Sequence, residues 1–490
     1  MVEKVIVNAL AVTPAGIVRG GIGIEQGKIV AIATDENLPK ALETIDAGGR
    51  YVIPGVVDPH AHPGGKYPLD QDFRTETPGA AAGGVTTIGA IVRVPRMGQP
   101  FKEFPEPADV VSWLDVFDMG RGIGERHSLV DFFFTFTINS DQHAVEIPEY
   151  ATRLGVTTFK FHGNLKQPLD NPVSPRWAAR IGIPLPYDDS TIFQGFEQIG
   201  RLGGSGVAEV HCENTELTKI FKERLVREEK QGLRAWAERS PDFLEAEHIM
   251  RYAYFARVTR APFYVLHLSS AEGVEACARL KDSHARIQVE TCPHYLALTC
   301  EDVPPGLLAK VNPPVRFAQD NERLWEGLRN GTIDCIGSDH VVTSLHEKLV
   351  KGDTSDHVTD PATDIWATGS GFVGLDTLLP VMLSEGVNRR RISLERLVEV
   401  CCTNPAKLSG LYPRKGVISL GADADLVILD LEKTVRVSAS VLHSYADFTV
   451  FDGRELRGWP VLTMLRGTVI MEDGKVTGRP GAGRYLPRSV

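Results

Sequence analysis

The chain lacks long hydrophobic runs: no stretch of its 490 residues approaches the 18 or more apolar residues that a membrane-spanning helix requires. Cysteine is sparse. The seven that occur, two of them adjacent at Cys401 and Cys402, form no disulfide framework and suit core thiols in a reducing compartment. Positive charge is in deficit, with 53 Lys and Arg against 63 Asp and Glu and a net charge of −10. No basic stripe interrupts that balance, which argues against nucleic acid and anionic membranes as partners. The densest basic run, "NRRRISLERL" at 388–397, reads as the start of a solvated helix. The opening segment "MVEKVIVNALAVTPAG" alternates like a strand and has no basic start, apolar run or cleavage site of a secretory signal. The expected location is the cytoplasm.

What is present is ordinary globular composition, 42% apolar and 24% charged, in a chain longer than one hydrophobic core usually serves. Between residues 54 and 417, eight short apolar runs recur: "VVDPHAH", "VTTIGAIV", "LVDFFFTFTI", "VTTFKFHG", "VAEVHCEN", "FYVLHLSS", "RIQVETCP" and "IDCIGSDH". Each is followed by a stretch able to hold a helix. Strands alternating with helices imply parallel pairing, and eight of them imply a closed (β/α)8 TIM barrel. An open doubly wound sheet would need a glycine-rich phosphate loop after its first strand, and "HAHPGGK" is not one. Residues 1–53 and 418–490 are strand-rich and punctuated by glycine, and "EQGKIVAI" and "EDGKVTG" read as matching hairpins. Neither end can cover its own apolar face, so the two are expected to join in one small composite β-sandwich beside a catalytic barrel of residues 54–417.

Unusual residues gather where barrel strands end, which is where such barrels build active sites. His60 and His62 close the first run, Lys160 the fourth, His211 the fifth, His267 the sixth and Asp339 the eighth. Taken singly, each has an ordinary reading as a core histidine or a helix cap. Together, four imidazoles and a carboxylate suit a borderline divalent ion, Zn2+ first and Mn2+ next, and exceed what one ion needs. Lys160 is the outlier. Val156, Thr158, Lys160 and His162 share one face of "GVTTFKFHGN". A buried ammonium is costly there, which leaves two readings open: a carboxylate partner across the barrel, or a neutral amine that adds CO2 to become a carbamate bridging two ions.

The ordered motifs "PGVVDPHAHP", "TTFKFHGN", "EVHCEN", "YVLHLSS", "ETCPHYLALT", "NPPVR", "IDCIGSDH", "GFVGLDTLLP", "TNPAKLSGLYPRKGVISLGADADLVILD" and "RGWPVLTMLRGTVIMEDGK" resemble the dihydropyrimidinase/hydantoinase family of cyclic amidohydrolases over nearly the whole chain. The resemblance implies a binuclear metal centre with carbamylated Lys160 as bridge. It assigns His60, His62 and Asp339 to the more buried ion and His211 and His267 to the other. It also implies that Asp339 serves as general base and then general acid in opening a cyclic amide, and that the assembly is a homotetramer.

Three positions depart from the family pattern. Five residues after the bridging lysine, hydantoinases carry an oxyanion-stabilising Tyr, a donor typically worth about 3 kcal/mol; here Leu165 stands there, and His162 is the candidate replacement. "NPPVR" places Asn312 where hydantoinases have Ser, as dihydroorotases do, and "SGFVG" places Ser370 where they often have Asn. Dihydroorotases also need an Arg where Gly64 stands, so that activity is disfavoured. The segment between Asn164 and Tyr187 is long and proline-rich, and residues 168–184 with Trp177 are expected to form a specificity lid. Rings other than hydantoin and dihydropyrimidine, such as allantoin, a cyclic imide, a lactam or a heteroaromatic catabolite, are therefore the alternative substrates. A non-catalytic, dihydropyrimidinase-like scaffold is the less favoured reading, since all six metal-ligand positions are filled.

Overall fold

The computed structural model describes residues 1–93, 111–162, 188–283, 286–302, 304–352 and 360–490. Leu165, Trp177 and the expected lid lie outside these residues. Five strands open the chain: β1 (Val2–Thr13), β2 (Gly16–Glu25), β3 (Lys28–Ala33), β4 (Ala41–Asp46) and β5 (Tyr51–Pro54). Eight more follow, β6 (Val56–Ala61), β7 (Val85–Val92), β8 (Asp131–Thr137), β9 (Thr158–His162), β10 (Val207–His211), β11 (Phe263–Val265), β12 (Ile287–Thr291) and β13 (Cys335–Ile336). These eight coincide with the eight apolar runs.

β6 to β13 pair in chain order, each parallel to the next. A parallel bridge between Ala61 and His340, with the His62 amide donating to the His340 carbonyl at 2.9 Å, closes the ring. Strand β8 shows why an almost unbroken aromatic run suits this wall. Phe134 and Phe136 turn outward onto Phe117 and Trp113 of the helix Trp113–His127, the Trp113 and Phe136 rings stacking at 4.1 Å. Thr135 turns inward, its hydroxyl 2.6 Å from that of Thr158 on β9. Both faces are buried, so the strand needs no polar alternation.

The chain closes with β14 (Leu426–Arg436), β15 (Glu455–Leu465), β16 (Thr468–Glu472) and β17 (Lys475–Val476). β14 pairs antiparallel with β5, so strands from both ends form one continuous nine-stranded sheet. Its core mixes the ends: Ile6, Ile22 and Ile24 share a cluster with Leu426, Ile428 and Met464. The two anticipated hairpins are present. Gln26–Gly27 and Asp473–Gly474 turn with positive φ at both central positions, the geometry that matches strand twist in two-residue hairpins.

Two devices bind the chain's end to the barrel floor. Lys415 Nζ lies 2.6 Å from Asp131 Oδ2 at the start of β8, and 3.0 and 2.5 Å from carboxylate oxygens of Asp423 and Asp425. Arg488 inserts its guanidinium beneath the strands, donating to Thr158 Oγ1 at 2.8 Å and to the Phe134 carbonyl, over the Phe133 ring.

Candidate metal centre at the barrel mouth

The site is built from residues at, or just past, the strand ends. On β6, His60 is fully buried, and Nδ1 lies 2.8 Å from Glu290 Oε1 on β12. The same carboxylate accepts the Tyr264 hydroxyl at 2.6 Å and the His267 amide at 3.0 Å. A carboxylate on Nδ1 fixes the ring so that Nε2 faces the site, and it raises ligand basicity. Burial is the largest influence and opposes a charged His60, but the Glu290 and Asp339 carboxylates together outweigh it and push the pKa up to about 9.

Around His60 Nε2 the other expected groups converge. His62 Nε2 is 3.1 Å away, and Asp339 Oδ1 lies 3.2 Å from His60 Nε2 and 3.1 Å from His62 Nε2. Lys160 Nζ stands 3.4 Å from both imidazole nitrogens. Among the described residues no carboxylate lies within ion-pair distance of Lys160 Nζ; Asp339, Glu209 and Glu290 act on it from further away. Burial, opposed by the Asp339 carboxylate and aided by Arg93, brings its amine down to about 8. Burial works against ionisation of Asp339 too, yet the His60 and His62 imidazoles hold its carboxyl well below the usual range.

A second pair completes the centre. His211 Nδ1 and His267 Nε2 lie 2.8 Å apart, and the His267 ring centroid is 5.4 Å from that of His60. His211 Nε2 meets Glu213 Oε2 at 3.2 Å. His267 and Asp339 both have positive φ, 39° and 48°. Non-glycine residues rarely hold that backbone, and it aims both side chains into the mouth.

The donor set fits divalent cations on its own chemistry. Glu290 and Glu213 can only accept, so in the neutral rings they take the outer N–H of His60 and His211 and leave lone pairs facing inward. At 3.1 Å from His62 and 2.8 Å from His267, those nitrogens share a proton with the facing ring, a place that a divalent cation can take over. His60, His62 and Asp339 form one group of converging ligand atoms; Asp131, Asp423 and Asp425 form another, and there Lys415 already supplies the cation.

His162 ends β9 on the inward face of Lys160, its ring 6.1 Å from that of His211. Its Nδ1 is buried with no hydrogen-bond partner among the described residues, and burial holds its pKa well below the ordinary value. Asn312 and Ser370 are half-buried, and each is gripped by a cation. Arg239 donates to Asn312 Oδ1, while Lys66 donates to the Ser370 carbonyl at 2.7 Å and to Thr343 Oγ1 at 3.1 Å. Gly64, with φ of 76°, donates its amide to Asp72 Oδ2 at 2.7 Å.

Sequence reasoning missed Glu290, Glu213, Arg239 and Asp58. Asp58 receives the amide and hydroxyl of Ser338 at 2.9 and 2.6 Å and so fixes the residue before Asp339. The signal for Asp58 and Glu290 was available: a carboxylate inside an apolar strand run is as costly as Lys160 and demands a partner for the same reason.

Two amidohydrolase-family models match the chain, over residues 43–115 and 264–470. The L-hydantoinase of Paenarthrobacter aurescens is 34% identical over 100% of this chain and 98% of its own length. The D-hydantoinase of Ralstonia pickettii is 32% identical over 99% of each. Among solved structures, an L-hydantoinase (dihydropyrimidinase) from Arthrobacter aurescens superposes with a TM-score of 0.84 at 33% identity over 100% of both chains. A dihydropyrimidinase from Brevibacillus agri gives 0.85 at 26% identity over 99% of this chain and 98% of that one.

Proposed function

Because the chain belongs to the hydantoinase/dihydropyrimidinase branch of the amidohydrolase family, we propose that it hydrolyses the C–N bond of a cyclic amide or imide at the mouth of its barrel. The convergence of His60, His62, Lys160 and Asp339 on one buried point carries this reading. His60, His62 and Asp339 would hold one divalent ion, and His211 and His267 a second. Lys160, once its neutral amine has added CO2, would offer one carbamate oxygen to each. The ions, Zn2+ first and Mn2+ as the alternative, supply Lewis acidity that activates water and polarises the ring carbonyl. Asp339 takes the proton of the attacking water and delivers it to the leaving ring nitrogen. His162 donates to the developing oxyanion in place of the missing Tyr. Asn312 and Ser370 orient the imide edge.

One observation favours a ring other than hydantoin or dihydropyrimidine, such as allantoin, another cyclic imide, a lactam or a heteroaromatic catabolite. The Asn312 carboxamide oxygen already accepts from Arg239, so this position presents to the ring an amide polarised and oriented by a guanidinium where its relatives present a serine hydroxyl. The non-catalytic scaffold reading is disfavoured by the complete ligand set. The decisive test is a panel of cyclic amides assayed for ring opening with Zn2+ or Mn2+ and bicarbonate supplied. Turnover of at least one ring is expected; a protein holding two ions that opens none would overturn the reading.

Assembly as a homotetramer is part of the same proposal. Support comes from the helix Asp242–Thr259, which turns Phe243, Met250, Tyr254 and Val258 outward at 41–58% exposure along one stripe. Light scattering coupled to size exclusion tests it. The cytoplasm is the proposed location, on seven cysteines that are all free and buried. No helix among the described residues is long and apolar enough to cross a membrane.

A further inference from the structure

A chain of polar contacts runs from the second metal-ligand pair to a substrate position. His211 turns Nδ1 toward His267 and Nε2 toward Glu213 Oε2 at 3.2 Å. The other oxygen of that carboxylate, Oε1, lies 3.5 Å from Arg239 Nη2, and the same Nη2 donates to Asn312 Oδ1. One nitrogen thus links a carboxylate that orients a ligand histidine and a side chain at the imide edge.

The surroundings leave that guanidinium little freedom. Arg239 is 7% exposed and follows the helix Gly232–Glu238, and its guanidinium carbon sits 3.7 Å from the centre of the Trp236 ring. Trp236 Nε1 in turn donates to the Val311 carbonyl at 2.9 Å. Trp236 on the short helix and Arg239 just past its end therefore grip Val311 and Asn312, the residues at which the "NPPVR" loop begins. Arg suits this task and Lys does not, because a planar fork can stack on an indole and address two acceptors at fixed angles, whereas an ammonium is a single point charge.

We propose that Arg239 is a positioning residue that couples the seating of the second ion at His211 to the seating of the substrate at Asn312. The inference rests on the binuclear amidohydrolase reading. It explains why Asn at position 312 is compatible with this pocket: its carboxamide oxygen completes the chain that a serine hydroxyl would reach less far to make. The same guanidinium sets both the direction of His211 and the direction of the imide edge. Substrate preference is then tuned through Arg239 without its touching the ring.

The test compares wild type, Arg239→Met, Arg239→Lys and Asn312→Ala as full-length holoenzymes. Retained metal is measured by atomic emission after dialysis against graded chelator, together with kcat and KM on the best ring. Arg239→Met is expected to release one ion of the two at a chelator concentration at least tenfold lower than wild type, and to raise KM about tenfold. Arg239→Lys should restore most of the metal retention, by keeping charge on Glu213, while KM stays high. Asn312→Ala should raise KM with metal retention at the wild-type level. The inference is overturned if Arg239→Met keeps both ions and an unchanged KM, if it loses both ions together with its thermal midpoint, or if Arg239→Lys cannot be told from Arg239→Met. Failure of the wild type to hold two ions, or to open any ring, would instead sink the functional reading.

Discussion

Glu290 Oε1 and His60 Nδ1 meet at 2.8 Å across the barrel, from β12 to β6, with both side chains fully buried. The bond determines which nitrogen of His60 faces the metal site. Glu290→Gln replaces an obligate acceptor with an amide that can turn either its oxygen or its NH2 toward the ring. The ion held by His60, His62 and Asp339 should bind roughly 10–100-fold more weakly, while the His211–His267 side is less affected. Metal titration of the chelator-stripped variant measures this, and two undisturbed affinities would count against the role given to Glu290.

Lys160 sets a pH dependence for assembly of the centre. Its amine is brought down from 10.5 to about 8, chiefly by burial, so the neutral form that adds CO2 grows as pH rises through 8. At constant dissolved CO2, the rate of reconstituting stripped protein should climb about thirtyfold from pH 6.5 to 9 and then level off. A rate still rising steeply above pH 10 would indicate an ordinary exposed amine. Lys160→Met should abolish the bicarbonate requirement together with turnover.

Asp339 tests the proton transfer. Asp339→Asn keeps an oxygen near His60 and His62 but can neither take nor return a proton. It should lower kcat by roughly 10²–10⁴-fold on whichever ring is best. Steady-state kinetics on metal-replete protein would show this; unimpaired turnover would remove Asp339 from the acid–base role.

His162 is asked to do what a tyrosine does elsewhere in the family. Its loss in His162→Ala should cost about 10²–10³-fold in kcat, with KM changed far less, since the interaction forms only as charge develops on the oxygen. Equal losses in substrate binding would instead make it a pocket wall.

Lys415 tests the seam between the barrel and the chain-end sheet. Its ammonium, 1% exposed, serves Asp131, Asp423 and Asp425 at once. Removing it in Lys415→Met takes away the cation the three carboxylates share: Asp131 keeps Arg466 and Asp423 keeps Lys28 and Arg414, but buried Asp425 is left with the Arg466 backbone amide as its donor. A loss of about 3–5 kcal/mol in unfolding free energy is expected, partly recovered when Asp425→Asn is added. Chemical denaturation measures both variants.

Much of this protein was legible in one dimension because its signals are local. Eight apolar runs are eight parallel strands, since a strand buried on both faces is apolar at most positions and so stands out without any partner in view. Lys160 announced a site because an amine in such a strand violates that rule. The turn residues Gln26–Gly27 and Asp473–Gly474 likewise carry their conformation in their own side chains, or in the lack of one.

What only the tertiary structure decided is which distant residues meet. Glu290 reads as one acid near a strand end until the closed barrel sets it against His60, 230 positions away. Arg239 reads as a charge at a helix terminus until the "NPPVR" loop delivers Asn312 to it, and Lys415 as a surface lysine until three carboxylates enclose it. The reason is that sequence specifies the cost of burying a charge, through residue type and neighbours, whereas the compensation for that cost comes from a partner whose position depends on closure of the whole ring of strands.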